Sequence, residues 1–168
     1  MELIANRHNY PVKINPPNGT LGEYVPFYFG HLSPMLLKIK NGTQGITQRS
    51  QRDIVYVICK VESIVQLCEN WCFTDGHAKN AITEFYNNLS DLDKIDWDIV
   101  FEKYWGNKDD DFDRMRRKQA EFLIKNHVLV GCIDAVATIN ESSKAVIEGI
   151  MLKLRLTIPV MVNPNLYY

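Results

Sequence analysis

The densest run of side chains able to do chemistry is Arg114-Met115-Arg116-Arg117-Lys118-Gln119-Ala120-Glu121-Phe122. Residues Gln119–Ile124 have the composition of a strand, which would set Gln119 and Glu121 two positions apart on one face. A carboxylate beside an amide can hold a ligand hydroxyl, stabilise positive charge and recognise a second substrate. The plainer alternative for Glu121 is an ion pair with Arg117 on a solvated face. Arg114, Arg116, Arg117 and Lys118 form a compact positive patch suited to phosphate. Equally, they stand directly after Asp109, Asp110, Asp111 and Asp113 and can be neutralised by them.

Other candidates are more scattered. His31 follows an expected strand and His77 lies in a turn, both places where sites are built, whereas His8 and His127 carry no such cue. Tyr24–Phe29, Tyr86, Trp97, Tyr104 and Trp105 offer rings on which bases or nicotinamide stack, although core packing is the commoner use of aromatics. Cys59, Cys68, Cys72 and Cys132 follow no framework spacing and read as buried thiols of a reducing compartment. No metal-ligand spacing or nucleophile arrangement emerges, so the expectation is no metal and no hydrolase chemistry.

The elements that must position these groups mix strands and helices. An extended lead-in over 1–22, rich in Asn, Pro and Gly, precedes an aromatic strand at Tyr24–Phe29, where Pro26 favours an edge. Ser33-Pro34 offers a cap for a helix over Met35–Lys40. A strand is expected at Asp53–Cys59, a helix at Val61–Glu69 and a short strand at Trp71–Phe73, ending at the turn Thr74-Asp75-Gly76-His77. Helices are expected over Ala78–Leu89 and Asp96–Trp105, then an acidic, mobile stretch at Asn107–Asp113. A strand over Val128–Ile139, a helix over Glu141–Leu152 and a strand over Ile158–Val162 complete the chain. Without a regular βαβ alternation, the fold class expected is α+β.

Bulk properties set the outer bounds. The chain has 168 residues, the size of one domain, here 1–168; 46% are hydrophobic and 23% charged, the balance of a packed globular protein. With 19 basic and 20 acidic residues the formal charge is -1, so any nucleic-acid surface must be local. No apolar run approaches the roughly 20 residues of a membrane span, and MELIANRHNYP lacks the build of a signal peptide, so a cytoplasmic location is expected.

Several separate stretches resemble the DarT family, in the right order: Tyr24-Val25-Pro26-Phe27-Tyr28-Phe29, Ser33-Pro34-Met35-Leu36, Phe73-Thr74-Asp75-Gly76-His77-Ala78, Ile95-Asp96-Trp97, Lys118-Gln119-Ala120-Glu121-Phe122-Leu123, and the tail from Pro159 to Tyr168. The resemblance runs from about Pro11 to the end. It implies an ADP-ribosyltransferase fold, with two small packed sheets around an NAD cleft. It also implies a toxin that transfers ADP-ribose from NAD to a base of single-stranded DNA, checked by an antitoxin with ADP-ribosyl-hydrolase activity.

In that family the glutamate matching Glu121 is catalytic, and the loop matching about Trp105–Gln119 recognises the substrate. The resemblance assigns Tyr28, His31, Leu32 and Ser33 to NAD binding, Gln119 to reading the acceptor, and Arg114, Arg116, Arg117 and Lys118 to gripping DNA. Members that modify thymine usually carry arginine where Leu32 stands; leucine cannot move a proton, which favours guanine as the acceptor, with His31 as a substitute base in the thymine case. By the family's usual length, an NAD-binding strand and helix with a histidine precede the point where this sequence begins. Other readings are an impaired remnant that binds single-stranded nucleic acid through Arg114–Lys118, or a transferase acting on RNA or protein.

Overall fold

Two sheets carry this fold, each in its own compact unit, and the computed structural model describes residues 7–168. The first six residues of the lead-in lie outside the described residues. One unit takes the chain up to Pro34 together with Cys68–Val128, and the other takes Met35–Leu67 with Leu129–Tyr168.

The first unit holds a four-stranded antiparallel sheet of β1 (Tyr24–Tyr28), β3 (Trp71–Thr74), β4 (Phe85–Tyr86) and β5 (Glu121–Lys125), in the order β1-β5-β3-β4. β5 is an inner strand whose first four residues are all buried, as a strand covered on both faces should be. Pro26 falls on β1, an edge of the sheet, where it faces Leu123. On one face Phe122 meets Phe29, Trp71 and Phe73 at ring-centroid distances of 5.4–6.3 Å. On the other, Leu123 joins Val12, Leu21, Tyr24, Cys72, Ala78 and Phe85 in a closed apolar cluster. By alternation, Glu121 starts on the Leu123 side.

The second unit holds β2 (Tyr56–Cys59), β6 (Ile133–Thr138) and β7 (Val160–Val162), in the order β2-β6-β7. β2 and β6 are antiparallel; β6 and β7 are parallel, joined through a helix over Glu141–Leu154. That helix starts where the Asn140 side chain accepts from the Ser143 amide at 2.8 Å and stops where Arg155 turns left-handed. The Tyr167 hydroxyl lies 3.0 Å from the Ile54 carbonyl and 3.1 Å from that of Ala137, tying the tail to both sides of β2 and β6. Further helices are α1 (Pro34–Asn41), α2 (Val61–Leu67), α3 (Trp97–Phe101) and α4 (Arg114–Arg117), the Glu141–Leu154 helix being α5. The α+β class is as the sequence predicts.

Local departures have local causes. No helix forms over Ala78–Leu89: Asn80 accepts from the Ile82 amide in a short turn, and Phe85 and Tyr86 pair with β3 instead. The strand expected from Asp53 begins at Tyr56, because Ser50 caps a 3-10 turn over Gln51–Asp53. The strand expected from Val128 begins at Ile133, after a 3-10 turn over Val130–Cys132. The Asn107–Asp113 stretch, expected to be mobile, is folded back by reciprocal 3.0 Å backbone bonds between Lys108 and Asp111. Arg114–Arg117 is helical, so the following strand starts at Glu121 and leaves Gln119 outside it.

Candidate active site

Glu121 sits at the first position of an inner strand, where one flanking strand brings Tyr28 opposite it and the other brings the turn after Thr74. Thr74 fixes the approach. Its hydroxyl accepts from the Glu121 amide at 3.2 Å and donates to the Gly76 carbonyl at 2.7 Å, locking that turn to the head of β5. The turn then delivers two donors to one carboxylate oxygen. The Ala78 amide lies 3.0 Å from Oε1 and His77 Nδ1 lies 3.1 Å from it. An ionised carboxylate only accepts, so the ring nitrogen facing it carries the proton.

Arg7 completes the shell. Its Nη1 reaches Oε1 at 3.2 Å and its Nη2 reaches Oε2 at 2.5 Å, a two-pronged pairing of planar groups. The Glu121 side chain is 1% exposed and that of Arg7 is 21% exposed. Burial alone would push the carboxyl's pKa up. The hydrogen bonds from His77 and Arg7, the Arg7 charge and the Ala78 amide outweigh it and hold the group below its usual range. Glu121 is therefore a buried, ionised, oriented carboxylate at neutral pH, suited to stabilising a cation and unsuited to giving up a proton.

The Arg114–Lys118 run buttresses this site. Arg116 binds Asp75 at 3.0 Å, Asp113 at 2.7 Å and the Thr83 hydroxyl at 3.3 Å, while its carbonyl accepts from the His77 amide at 2.9 Å. Gly76 has to be glycine here, since a Cβ would stand 2.4 Å from the Arg116 guanidinium and 2.9 Å from its carbonyl. Arg117 pairs with Asp96 and Asp111, and more loosely with Asp113 at 3.6 Å. Lys118 is buried, with its ammonium 2.6 Å from the Val100 carbonyl and 2.8 Å from that of Glu102. Arg114, half-buried, donates to the carbonyls of Tyr104 and Gly106. Of the run expected to meet phosphate, Arg116 and Arg117 are paired with acidic partners and Lys118 is internal.

Gln119 is likewise moved. Its amide donates to the Met115 carbonyl at 2.9 Å, and it does not share a strand face with Glu121. The turn after β1 carries the remaining expected residues. Tyr28 pairs in register with Glu121, and burial and that carboxylate's charge raise its phenol's pKa. His31 is half-buried and held neutral by burial and by the Lys118 charge. Leu32 is buried in a left-handed conformation (φ 53°), and Ser33 is buried beside it. Among the described residues, no group of His, Cys, Asp or Glu could hold a metal ion. Arg7 escaped the sequence reading because its partner is 114 residues away, and nothing in its local sequence signals the pairing. His77 was visible as a turn residue, without its partner.

Comparison with known proteins places this geometry. The whole chain, residues 1–168, matches the family model described as "ssDNA thymidine ADP-ribosyltransferase, DarT". A DNA ADP-ribosyl transferase of Escherichia coli O127:H6 is 34% identical over 167 residues, an alignment that spans 99% of this chain and 76% of that protein. Among solved structures, DarT of Thermus sp. 2.9 in complex with ADP-ribosylated single-stranded DNA superposes with a TM-score of 0.90 at 27% identity, covering 99% of this chain and 79% of that one. The same Thermus protein in complex with NAD+ gives a TM-score of 0.87 at 26% identity, covering 97% and 80%. The chain belongs to the DarT family.

Proposed function

We propose that this chain is an NAD-dependent DNA ADP-ribosyltransferase that modifies an unpaired base of single-stranded DNA, with Glu121 as its catalytic carboxylate. The observation that carries the reading is the buried, ionised Glu121 held by Arg7, His77 and the Ala78 amide. When the bond between ribose and nicotinamide breaks, nicotinamide leaves with the electron pair and the ribose becomes oxocarbenium-like. A carboxylate fixed in advance stabilises that charge without reorganising. A ribose hydroxyl can also be held there, and Oε2 is the oxygen with room: Arg7 Nη2 is its one donor among the described residues, against three on Oε1. Arg7 covers the carboxylate, so sugar contact requires it to share or yield that oxygen.

Tyr28, His31, Leu32 and Ser33 are proposed to line the NAD side, since Tyr28 faces Glu121 and the others follow directly in the turn beyond it. Phe101, Tyr104 and Phe112 are exposed around the segment that the family uses for its substrate, Tyr104 and Phe112 by 76% and 75%. Unpaired bases stack on such rings for about 1–3 kcal/mol each, whereas a base inside a duplex would first have to be flipped out. Gln119 reads the acceptor in this account, and Arg114 is the basic side chain of its run placed to meet phosphate. The family model extends over both compact units, which supports one DarT-like domain over 1–168.

The acceptor base turns on one proton. The family description names thymidine, whose ring N–H must lose its proton to attack; Leu32 cannot take it, and the neutral His31 beside it can. The buried, apolar Leu32 is the observation that favours guanine, whose exocyclic amine needs less help. Either way the new bond joins the base nitrogen to the ribose carbon, and the proton leaves that nitrogen. A toxin of this kind acts in the cytoplasm and implies an antitoxin with ADP-ribosyl-hydrolase activity. The test is mass spectrometry of oligonucleotides lacking either thymine or guanine, incubated with the chain and NAD. Mass gain confined to thymine-containing strands supports thymine, gain confined to guanine-containing strands supports guanine, and no gain on any strand rejects the function.

A further inference from the structure

We propose that Lys118 is a positioning residue for the acceptor strand: its buried ammonium fixes the end of α3, and with it the segment 102–113, against the head of the strand that carries Glu121. This rests on the DNA ADP-ribosyltransferase reading. A lysine side chain that is nine-tenths or more hidden is rare, because its ammonium must be satisfied inside the protein. Here the 1% exposed Lys118 donates to the Val100 and Glu102 carbonyls at 2.6 and 2.8 Å. These carbonyls lie at the C-terminal end of α3, where helices leave acceptors unmatched and where positive charge is favoured.

The same carbonyl is a meeting point of three elements. A Cβ on Gly30 would stand 2.2 Å from the Val100 oxygen, so the turn after β1 packs directly against the carbonyl that Lys118 holds. The Phe29 amide donates to the Ala120 carbonyl at 3.3 Å, stitching that turn to the residue before Glu121. Lys118 therefore ties together the β1 turn, the end of α3 and the approach to β5. Downstream, the segment it anchors carries the exposed Tyr104 and Phe112 and is held along its length by Arg114, Arg116 and Arg117. None of the hydrogen bonds around the Glu121 carboxylate involves Lys118; its own go to the end of α3, so its influence falls first on the segment 102–113 that follows.

Burial lowers the Lys118 pKa to about 8, with Glu102 opposing that shift. Two titratable groups face it, His31 from the β1 turn and Glu102 from the end of α3. The His31 pKa is depressed by burial and by the Lys118 charge, so that ring is already neutral in this range. Between neutral and alkaline pH the contacts to the two carbonyls pass from charge-assisted to neutral hydrogen bonds and weaken.

The experiment measures the dissociation constant of a fluorescent single-stranded oligonucleotide by anisotropy at pH 7 and pH 9, and the KM for NAD. For the wild-type chain, affinity for the oligonucleotide is expected to fall about tenfold from pH 7 to pH 9 with the NAD KM nearly constant. Lys118→Met is expected to show the weaker affinity at both pH values, with its pH dependence gone. A wild-type affinity that is flat across this range overturns the proposal without any variant. So does a Lys118→Met chain that retains the wild-type pH dependence, or a NAD KM that rises in step with the oligonucleotide constant. If the wild-type chain binds no oligonucleotide at either pH, the DNA reading itself falls and the positioning role falls with it.

Discussion

Arg7 and Glu121, 114 residues apart in sequence, form a two-pronged ion pair in which the arginine is the outer partner and the glutamate is sealed behind it. Removing one side of a hydrogen-bonded charge pair costs about 1.5–3 kcal/mol. Arg7→Ala is expected to lose that much stability in denaturant unfolding. The charge that favours the ionised carboxylate also goes, so the acid limb of the pH–activity profile should move to higher pH. An unchanged acid limb would mean that Arg7 does not set the state of Glu121.

Acid sensitivity of the fold should follow from the same carboxyl. Its pKa in the folded chain lies below the ordinary 4.5, so the unfolded chain takes up a proton before the folded chain does. The stabilisation this provides is complete above 4.5 and disappears as pH falls through the lower, folded value. Urea midpoints measured on a descending pH series should therefore drop below pH 4.5, and Glu121→Gln should flatten the drop.

Salt dependence separates the two kinds of arginine in the basic run. Arg114 is proposed to meet phosphate, so Arg114→Ala should lower the slope of log affinity against log salt for single-stranded DNA by about 0.7–1. Arg116 is held by Asp75 and Asp113, so Arg116→Ala should leave that slope alone while lowering thermal stability and loosening the His77 turn. Equal slopes for wild type and Arg114→Ala would remove Arg114 from the interface.

In the second unit, Tyr167→Phe should cost about 1–3 kcal/mol, because the buried Ala137 carbonyl and the half-buried Ile54 carbonyl lose the one hydroxyl they share. The ring itself stays against Tyr56, 5.2 Å between centroids. Chemical denaturation reads this directly, and a neutral effect would show that water replaces the hydroxyl.

How much of this was legible depended on whether the deciding interaction was local. Pro26 on an edge strand and the helix that starts at Glu141 are written in neighbouring residues and appear where expected, and the apolar run around Phe122 does form a strand. The residues 78–89 look helical by composition, yet their backbone is claimed by partners far along the chain: the Ala78 amide by Glu121, and the Ala81 and Thr83 carbonyls by the Lys13 ammonium. The Gln119–Glu121 pairing failed because the helical turn Arg114–Arg117 delays the strand by two residues, which a composition pattern does not mark. The basic run was visible as charge, but its destination was not. The aspartates just before it do engage Arg116 and Arg117, as one of the two sequence alternatives held, while the carbonyls that swallow Lys118 lie 16 and 18 residues away.

The central claim is that the Glu121 carboxylate carries the transfer. Glu121→Gln keeps the side chain's size and removes its charge. With NAD and a single-stranded oligonucleotide as substrates, mass spectrometry should find ADP-ribosylated DNA accumulating about 10²–10³-fold more slowly than with the wild-type chain, while the melting transition remains cooperative. Modification by a folded Glu121→Gln chain at the wild-type rate would contradict the account.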